Sequence, residues 1–258
     1  MRIFILLDLI FFIFAFQSNF HKTSKTSILT YNSNAQTTNI IFQSDDDGQT
    51  WKDLSAGLPE KVTVDRVFVQ GEDIYLAAGN GVIYHNNHTQ TGIWESENVG
   101  GIFMNAAAIF PKEKIIGLFP GRYGLYACVY KNGFSRKILG TNNWQQMGYA
   151  LEDKTIHCVL EKPDGTIFIT CQSGIYKSDN DGKSWKQIFS DGWVSGLVLA
   201  NGVFIANGAH GLIRSTDDGE QWEYVLKDDG GSYRTSVIDG GFAAVRLAGI
   251  WRTSADNF

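Results

Sequence analysis

One box of eight residues recurs three times in this chain and constrains its fold more than any other feature. It reads Ser44-Asp45-Asp46-Asp47-Gly48-Gln49-Thr50-Trp51, then Ser178-Asp179-Asn180-Asp181-Gly182-Lys183-Ser184-Trp185, then Ser215-Thr216-Asp217-Asp218-Gly219-Glu220-Gln221-Trp222. Gly48, Gly182 and Gly219 stand where a tight turn needs a positive φ, a conformation that penalises a residue with a Cβ. Asp46, Asn180 and Asp217 have short side chains that accept hydrogen bonds from backbone N–H groups of their own turn, and the hydroxyls of Ser44, Ser178 and Ser215 serve the same end. Trp51, Trp185 and Trp222 bring a large apolar ring to pack beneath the turn or between neighbouring units. The box therefore specifies a turn between two strands.

Phe42, Tyr176 and Ile213 each precede a box Ser by two positions, and weaker copies of this anchor occur at Tyr84, Tyr130 and Trp251. Successive anchors are 37 to 46 residues apart, and Trp51, Trp94, Trp144, Trp185 and Trp222 follow theirs by 9 to 14 residues. Self-similarity at this spacing marks stacked or radially repeated units. Each unit also has a hairpin in its first half. Asn201-Gly202 sits between apolar runs and suits a two-residue type I′ turn. Asp164-Gly165 and Asp239-Gly240 read the same way, and residues 67–76 and 108–118 are looser versions, with turns at Gln70-Gly71 and Pro111-Lys112. One unit is then four antiparallel strands, with no helical periodicity beyond the N-terminus. The expected fold is all-β, a β-propeller of five or six four-stranded blades. The third strand of a blade occurs both at Ile41-Phe42-Gln43 and at Ile250-Trp251-Arg252, so five blades with a redundant strand and six with the last incomplete both fit.

A calcium loop is the functional alternative for the box. Aligning its Gly to the sixth position of an EF-type loop puts Gln43 or Lys177 first and Leu54 or Ile188 last, none of them the acid such a loop needs. No metal or other cofactor is expected. The three boxes resemble the Asp-box, or BNR repeat, of sialidases, sortilin-type receptors and photosystem II assembly factor-like propellers. The resemblance covers the chain from about Thr38 onward. It implies that the box is a fold-stabilising hairpin between the third and fourth strands of a blade, remote from any active centre.

The N-terminus differs from the rest: Arg2 precedes an apolar run from Ile3 to Phe16, interrupted by Asp8 and too short to span a membrane comfortably. Residues 1–18 read as a signal peptide, 19–39 as a flexible polar lead-in and 40–258 as the propeller. The expected address is secreted or periplasmic, without membrane insertion after signal removal; an uncleaved N-terminal anchor is the alternative. The formal charge of −5, with Lys and Arg scattered, gives no footprint for nucleic acid. Three cysteines are too few for a disulfide framework. If Asp164-Gly165 forms a two-residue turn, Cys158 and Cys171 oppose each other directly across two strands, and an export address permits a disulfide between them. The other reading is two small buried hydrophobes.

A sialidase, by the resemblance, needs three arginines on the substrate carboxylate, a Tyr–Glu nucleophilic pair, an Asp acid/base and an Arg-Ile-Pro motif near the first blade. Arg-Ile-Pro is absent, Arg66 stands in Asp65-Arg66-Val67 instead, and Arg122 is a lone basic residue in a turn-rich link. No catalytic residue is assigned. The expected function is a non-catalytic binding or assembly scaffold for a protein or glycan, with a sialidase-type glycoside hydrolase as the alternative and a decayed, ligand-free copy as a third reading. The links that lead from a box Trp to the next inner strand converge on one face of a propeller. They supply the candidate ligand-facing residues Arg66, His157, Trp193 and Arg234, where Arg offers planar bidentate bonds and aromatic rings offer stacking. Trp193 lies outside the phase of the other repeat tryptophans, which singles it out.

Overall fold

The computed structural model describes residues 3–6, 40–60, 62–79, 81–87, 94–98, 115–138, 141, 143–151, 153–228, 233–239, 241–246 and 249–254. These residues form six sheets, each hydrogen-bonded in chain order. The first holds β1 (Ile3–Leu6), β2 (Ile41–Ser44) and β3 (Lys52–Asp53). The second holds β4 (Val64–Gln70), β5 (Asp73–Ala78), β6 (Val82–Asn87) and β7 (Glu95–Asn98). The third holds β8 (Ile115–Gly121), β9 (Gly124–Val129), β10 (Phe134–Lys137) and β11 (Trp144–Met147). The fourth holds β12 (Ile156–Glu161), β13 (Ile167–Cys171), β14 (Gly174–Ser178) and β15 (Lys186–Phe189). The fifth holds β16 (Val194–Ala200), β17 (Val203–Gly208), β18 (Gly211–Ser215) and β19 (Glu223–Lys227); the sixth holds β20 (Arg234–Ile238), β21 (Gly241–Arg246) and β22 (Gly249–Ser254). Among the described residues there is no α-helix, only a 3-10 turn at Tyr149–Leu151. Four-stranded antiparallel meanders repeated in this way are the blades of a propeller.

The chain divides into two compact units, Met1–Gly79 with Ile83–Ser96, and Asn80–Val82 with Glu97–Phe258. Within the second unit the inner strands β8, β12, β16 and β20 are neighbours in that order. Its apolar core lies between blades. One cluster joins Tyr126, Cys128, Phe134 and Met147 of the third sheet to Ile156, Val159, Ile169 and Cys171 of the fourth. The next joins Cys158, Phe168 and Ile175 to Val194, Leu197, Phe204 and Ile213 of the fifth.

The three boxes fold identically. The hydroxyl of Ser44, Ser178 or Ser215 accepts the N–H of Gly48, Gly182 or Gly219 at 2.8, 2.9 and 3.0 Å. The same hydroxyl donates to Asp46, Asn180 or Asp217 at 2.8, 3.0 and 2.9 Å. That side chain in turn accepts the backbone N–H of Thr50, Ser184 or Gln221 at 2.8, 2.9 and 2.9 Å. Trp51, Trp185 and Trp222 close the turn by donating their indole N–H to the carbonyl of the box Gly at 3.2, 3.1 and 2.9 Å. The turn uses two left-handed residues, since Asp47, Asp181 and Asp218 have φ of 57°, 59° and 59° ahead of the glycines. Asp tolerates that conformation better than most residues.

The second and third boxes also fasten their blades to the one before, which the sequence did not reveal. Arg136 on β10 forks onto Asp181, with its second bond at 3.1 Å. Lys162 and Lys177 reach Asp218 at 2.8 and 3.0 Å. Beneath these pairs a Cβ on Gly182 would meet Met147 at 2.8 Å, and one on Gly219 would meet Ile188 at 2.9 Å. Trp185 packs edge-on against Phe134 of the third sheet at 5.9 Å between centroids. Trp222 lies 6.1 Å from both Phe189 of the fourth sheet and Phe204 of its own.

The third sheet departs from the expected phase. Tyr130 is a turn residue 52% exposed, not the anchor of a third strand. Ser135 takes that place, facing Ala127 as Tyr176 faces Ile169 and Ile213 faces Ala206. The inner strand here is β8, which runs through Pro120 to a turn at Arg122-Tyr123. A sheet-edge strand tolerates Pro because it leaves one N–H side unpaired. Pro111-Lys112 lies outside the described residues, as do residues 7–39 of the expected signal and lead-in. Ile3–Leu6, within the expected signal, pairs antiparallel with β2. Ile41–Ser44 and Gly249–Ser254 belong to different sheets, and the sixth sheet has three described strands.

Two outcomes follow from this geometry. Gly211 has φ 122° and an added Cβ would lie 1.8 Å from the Leu226 carbonyl oxygen, whereas Gly202 has φ 77° with nothing within 4 Å. Gly211→Ala should therefore cost about 3 kcal/mol, the scale of a backbone clash in a rare conformation, and Gly202→Ala only about 1 kcal/mol, both read from urea unfolding. Asp46 is held down to about 2 by the hydroxyl and N–H of Thr50 and the hydroxyl of Ser44. A depressed carboxyl contributes stability above its unfolded-state value of 3.8, and that contribution is lost as pH falls through about 2. The stability gap between the wild type and Asp46→Ala should accordingly narrow from about pH 4 to about pH 2, as followed by urea midpoints.

Candidate recognition face

Four inner strands carry a bulge at the same place, close to their first residue. The register with the second strand shifts between Val64 and Arg66 in β4, Ile115 and Gly117 in β8, Ile156 and Cys158 in β12, and Val194 and Leu197 in β16. A bulge inserts a residue, breaks the alternation of faces and re-aims the extra side chain. The re-aimed residues are Asp65, Ile116, His157 and the pair Ser195-Gly196. They stand where the links enter the inner strands, at the end that the sequence assigned to ligand contact.

His157 is the extra residue of its bulge and is tied to the adjoining inner strand. Its Nδ1 lies 3.0 Å from the Val194 carbonyl, and its Nε2 lies 3.4 Å from the indole Nε1 of Trp193. The two rings meet edge to face, with centroids 5.5 Å apart and planes at 72°. Trp193 is 37% exposed despite this contact, so its outer edge is open to a partner. The structure thus joins two of the four candidate residues. Arg234 is exposed as the first residue of β20, the inner strand next to β16. Arg66, in the first unit, is exposed on β4 and donates to the Asp65 carbonyl at 2.7 Å.

Other link residues are committed to structure. Tyr233 is buried and donates its hydroxyl to Asp228, which also pairs with Arg246. Lys154 pairs with Asp153 at 3.7 Å and stands over the Tyr176 ring. Asn105, which the sequence also places in a link ahead of an inner strand, lies outside the described residues. The bulges had no signature in composition; the visible signal was Trp193 being out of phase with the repeat.

No protein-family model matches the chain, and no curated protein matches its sequence. Solved structures do. YCF48 bound to D1 peptide aligns with a TM-score of 0.62 at 16% identity, over 81% of this chain and 70% of that one. The extracellular domain of the putative one component system BT4673 from B. thetaiotaomicron aligns at 0.60 and 16% identity, over 82% of this chain and 30% of that one. PorZ, a surface component of the type-IX secretion system of Porphyromonas gingivalis, aligns at 0.60 and 14% identity, over 81% and 28%. The chain thus spans less than a third of the last two. At these identities the likeness carries the fold, a β-propeller of antiparallel four-stranded blades like that of YCF48 and the two bacterial proteins.

Of the two readings of Cys158 and Cys171, a disulfide or two small buried hydrophobes, the structure has the second: all three cysteines are free and buried. The turn between β12 and β13 has three residues, Pro163-Asp164-Gly165, because Lys162 N–H bonds the Thr166 carbonyl and Gly165 takes φ 93°. That shifts the register by one, so Cys158 faces Thr170, and the bulge at His157 then sets Ile156 against Cys171. A one-residue slip sends side chains to opposite faces. Cys158 accordingly packs in the cluster toward the fifth sheet and Cys171 in the cluster toward the third. Burial pushes the Cys158 thiol up to about 11 and Cys128 well above its ordinary value. A thiol reagent should thus leave the native protein unlabelled and modify three cysteines per chain once it is denatured, with no reductant required; mass spectrometry checks this.

Proposed function

We propose that the chain is an exported, non-catalytic propeller that binds a protein segment or a glycan on the face entered by its links, with Trp193, His157 and Arg234 as contact residues; Arg66, near the start of β4, is a separate candidate of the first unit. The observation that carries this reading is Trp193, which is outside the repeat phase, 37% exposed, and held by His157 with its outer edge outward. Burying an aromatic edge on a partner brings large contact area with little loss of side-chain freedom, and Trp and Arg are enriched where binding energy concentrates. The fold shared with YCF48, whose structure is of a complex with D1 peptide, supports a protein segment as the occupant. One fold hosts many functions, so the argument rests on the face itself.

Export is part of the same proposal. Residues 1–18 have the basic start and short apolar core of a secretory signal, and neighbours in structure include extracellular domains of bacterial proteins. The propeller then follows the polar lead-in 19–39 into a secreted or periplasmic compartment.

The test is affinity capture from the native envelope or secreted fraction, with the wild type beside Trp193→Ala and Arg234→Ala. Loss of a buried aromatic or Arg anchor costs about 2 kcal/mol or more, so capture of a specific partner should fall roughly thirtyfold in each variant. Equal capture by all three proteins would remove this face from consideration. Turnover of a fluorogenic sialoside by the purified wild type would replace the binding reading with the hydrolase.

A further inference from the structure

The His157–Trp193 contact has a chemistry that fixes how it responds to protons. A backbone carbonyl only accepts hydrogen bonds, so the His157 Nδ1 that lies 3.0 Å from the Val194 oxygen carries the hydrogen. In the neutral imidazole Nε2 is then a bare acceptor, and it faces the one polar group of Trp193, an N–H that only donates, at 3.4 Å. Both ring nitrogens are thereby engaged by the adjoining blade. Adding a proton to Nε2 places N–H against N–H, and that bond is lost.

We infer that His157 and Trp193 form a proton-operated latch on the recognition face: neutral His157 holds the indole in place, and protonated His157 releases it. The inference rests on the reading of this face as a binding site for its significance to the protein, though the latch itself needs no partner. Histidine is the side chain whose charge ordinarily changes between about pH 5 and about pH 8, which sets the range over which the latch is tested. The bond to Val194 survives protonation, because Nδ1 keeps its hydrogen. The strand contact therefore stays closed while the indole lets go. Gly192, directly before Trp193, has a left-handed φ of 84° in a link that exposes Ser190 and Asp191, so the ring swings from a turn and not from within a strand.

Few other titratable groups stand on the elements around His157. Of the strands packed against β12, β8 and β16 carry no titratable side chain, β9 carries Tyr126 and Cys128, and β13 carries Cys171. On β12 itself Cys158 is a buried thiol, and Glu161 stands at the far end, where it accepts from Tyr126 at 2.9 Å. Among the links, Lys154 is paired with Asp153, and Asp191 accepts the Tyr224 hydroxyl at 2.7 Å.

The experiment is nuclear magnetic resonance on the full chain labelled with nitrogen-15, with no partner present. Trp193→Phe identifies the Trp193 indole N–H signal. Over a titration from about pH 8 to about pH 5 that signal should shift with the same midpoint as the His157 ring nitrogens. In His157→Gln, which keeps an acceptor that does not titrate, the signal should be independent of pH. A flat Trp193 signal in the wild type, or one that still titrates in His157→Gln, overturns the latch. Should His157→Gln not fold, the wild-type imidazole decides. Hydrogen on Nδ1 at the alkaline end supports the latch, and hydrogen on Nε2 overturns it. These readings are made without a partner, so their failure leaves the capture result standing, and failure of capture leaves the latch standing.

Discussion

The turns of the second and third boxes are clamps between successive blades, and the packing of the second unit depends on them. A serine hydroxyl that both accepts from glycine and donates to Asp or Asn holds two consecutive residues left-handed. That conformation points Asp181 and Asp218 away from their own blade onto Arg136, Lys162 and Lys177 of the blade before. It also brings Gly182 and Gly219 so near the same neighbour that an added Cβ would press on the tips of Met147 and Ile188. Charge at the rim and close packing below act at one point. The exposed ion pairs contribute little by themselves; the glycine contact and the Trp rings supply most of the attraction, and the charges fix the alignment.

The third sheet shows what replaces the clamp where the box is absent. Glu97, fully buried, pairs with Lys137 and accepts the Trp144 indole N–H at 3.0 Å, and Lys137 stands over the Trp144 ring. Removing one member of such a group would strand a charge in the interior, which is far costlier than losing a surface pair. The repeat tryptophan is thus kept in register by either device, a glycine carbonyl in one case and a buried carboxylate in the other.

Features set by local chemistry were legible in the sequence. The glycine and Asp/Asn positions of the boxes, the type I′ turn at Asn201-Gly202 with both φ positive, and the four-stranded unit are each written in a few adjacent residues. Features set by a count of residues were not. Asp164-Gly165 looks the same in a two-residue and a three-residue turn, yet one residue decides whether Cys158 meets Cys171. Tyr130 mimics a third-strand anchor, but the short unit from Gly124 to Lys137 puts it in a turn. Of the candidate face, Trp193 was visible because it breaks a rhythm. Its attachment to His157 was not, because that depends on a bulge whose residues are ordinary for a strand.

The hydrogen bond from the box glycine to the serine has a further bearing on the chemical lifetime of the protein. Asp-Gly pairs are prone to rearrange through a succinimide, a reaction in which the glycine nitrogen attacks the aspartate side chain. In Asp47-Gly48, Asp181-Gly182 and Asp218-Gly219 that nitrogen is bound to the serine hydroxyl and the backbone is pinned in the left-handed region. The attack geometry is withheld while the turn is intact, so these corners are shielded from ageing by the same bond that shapes them.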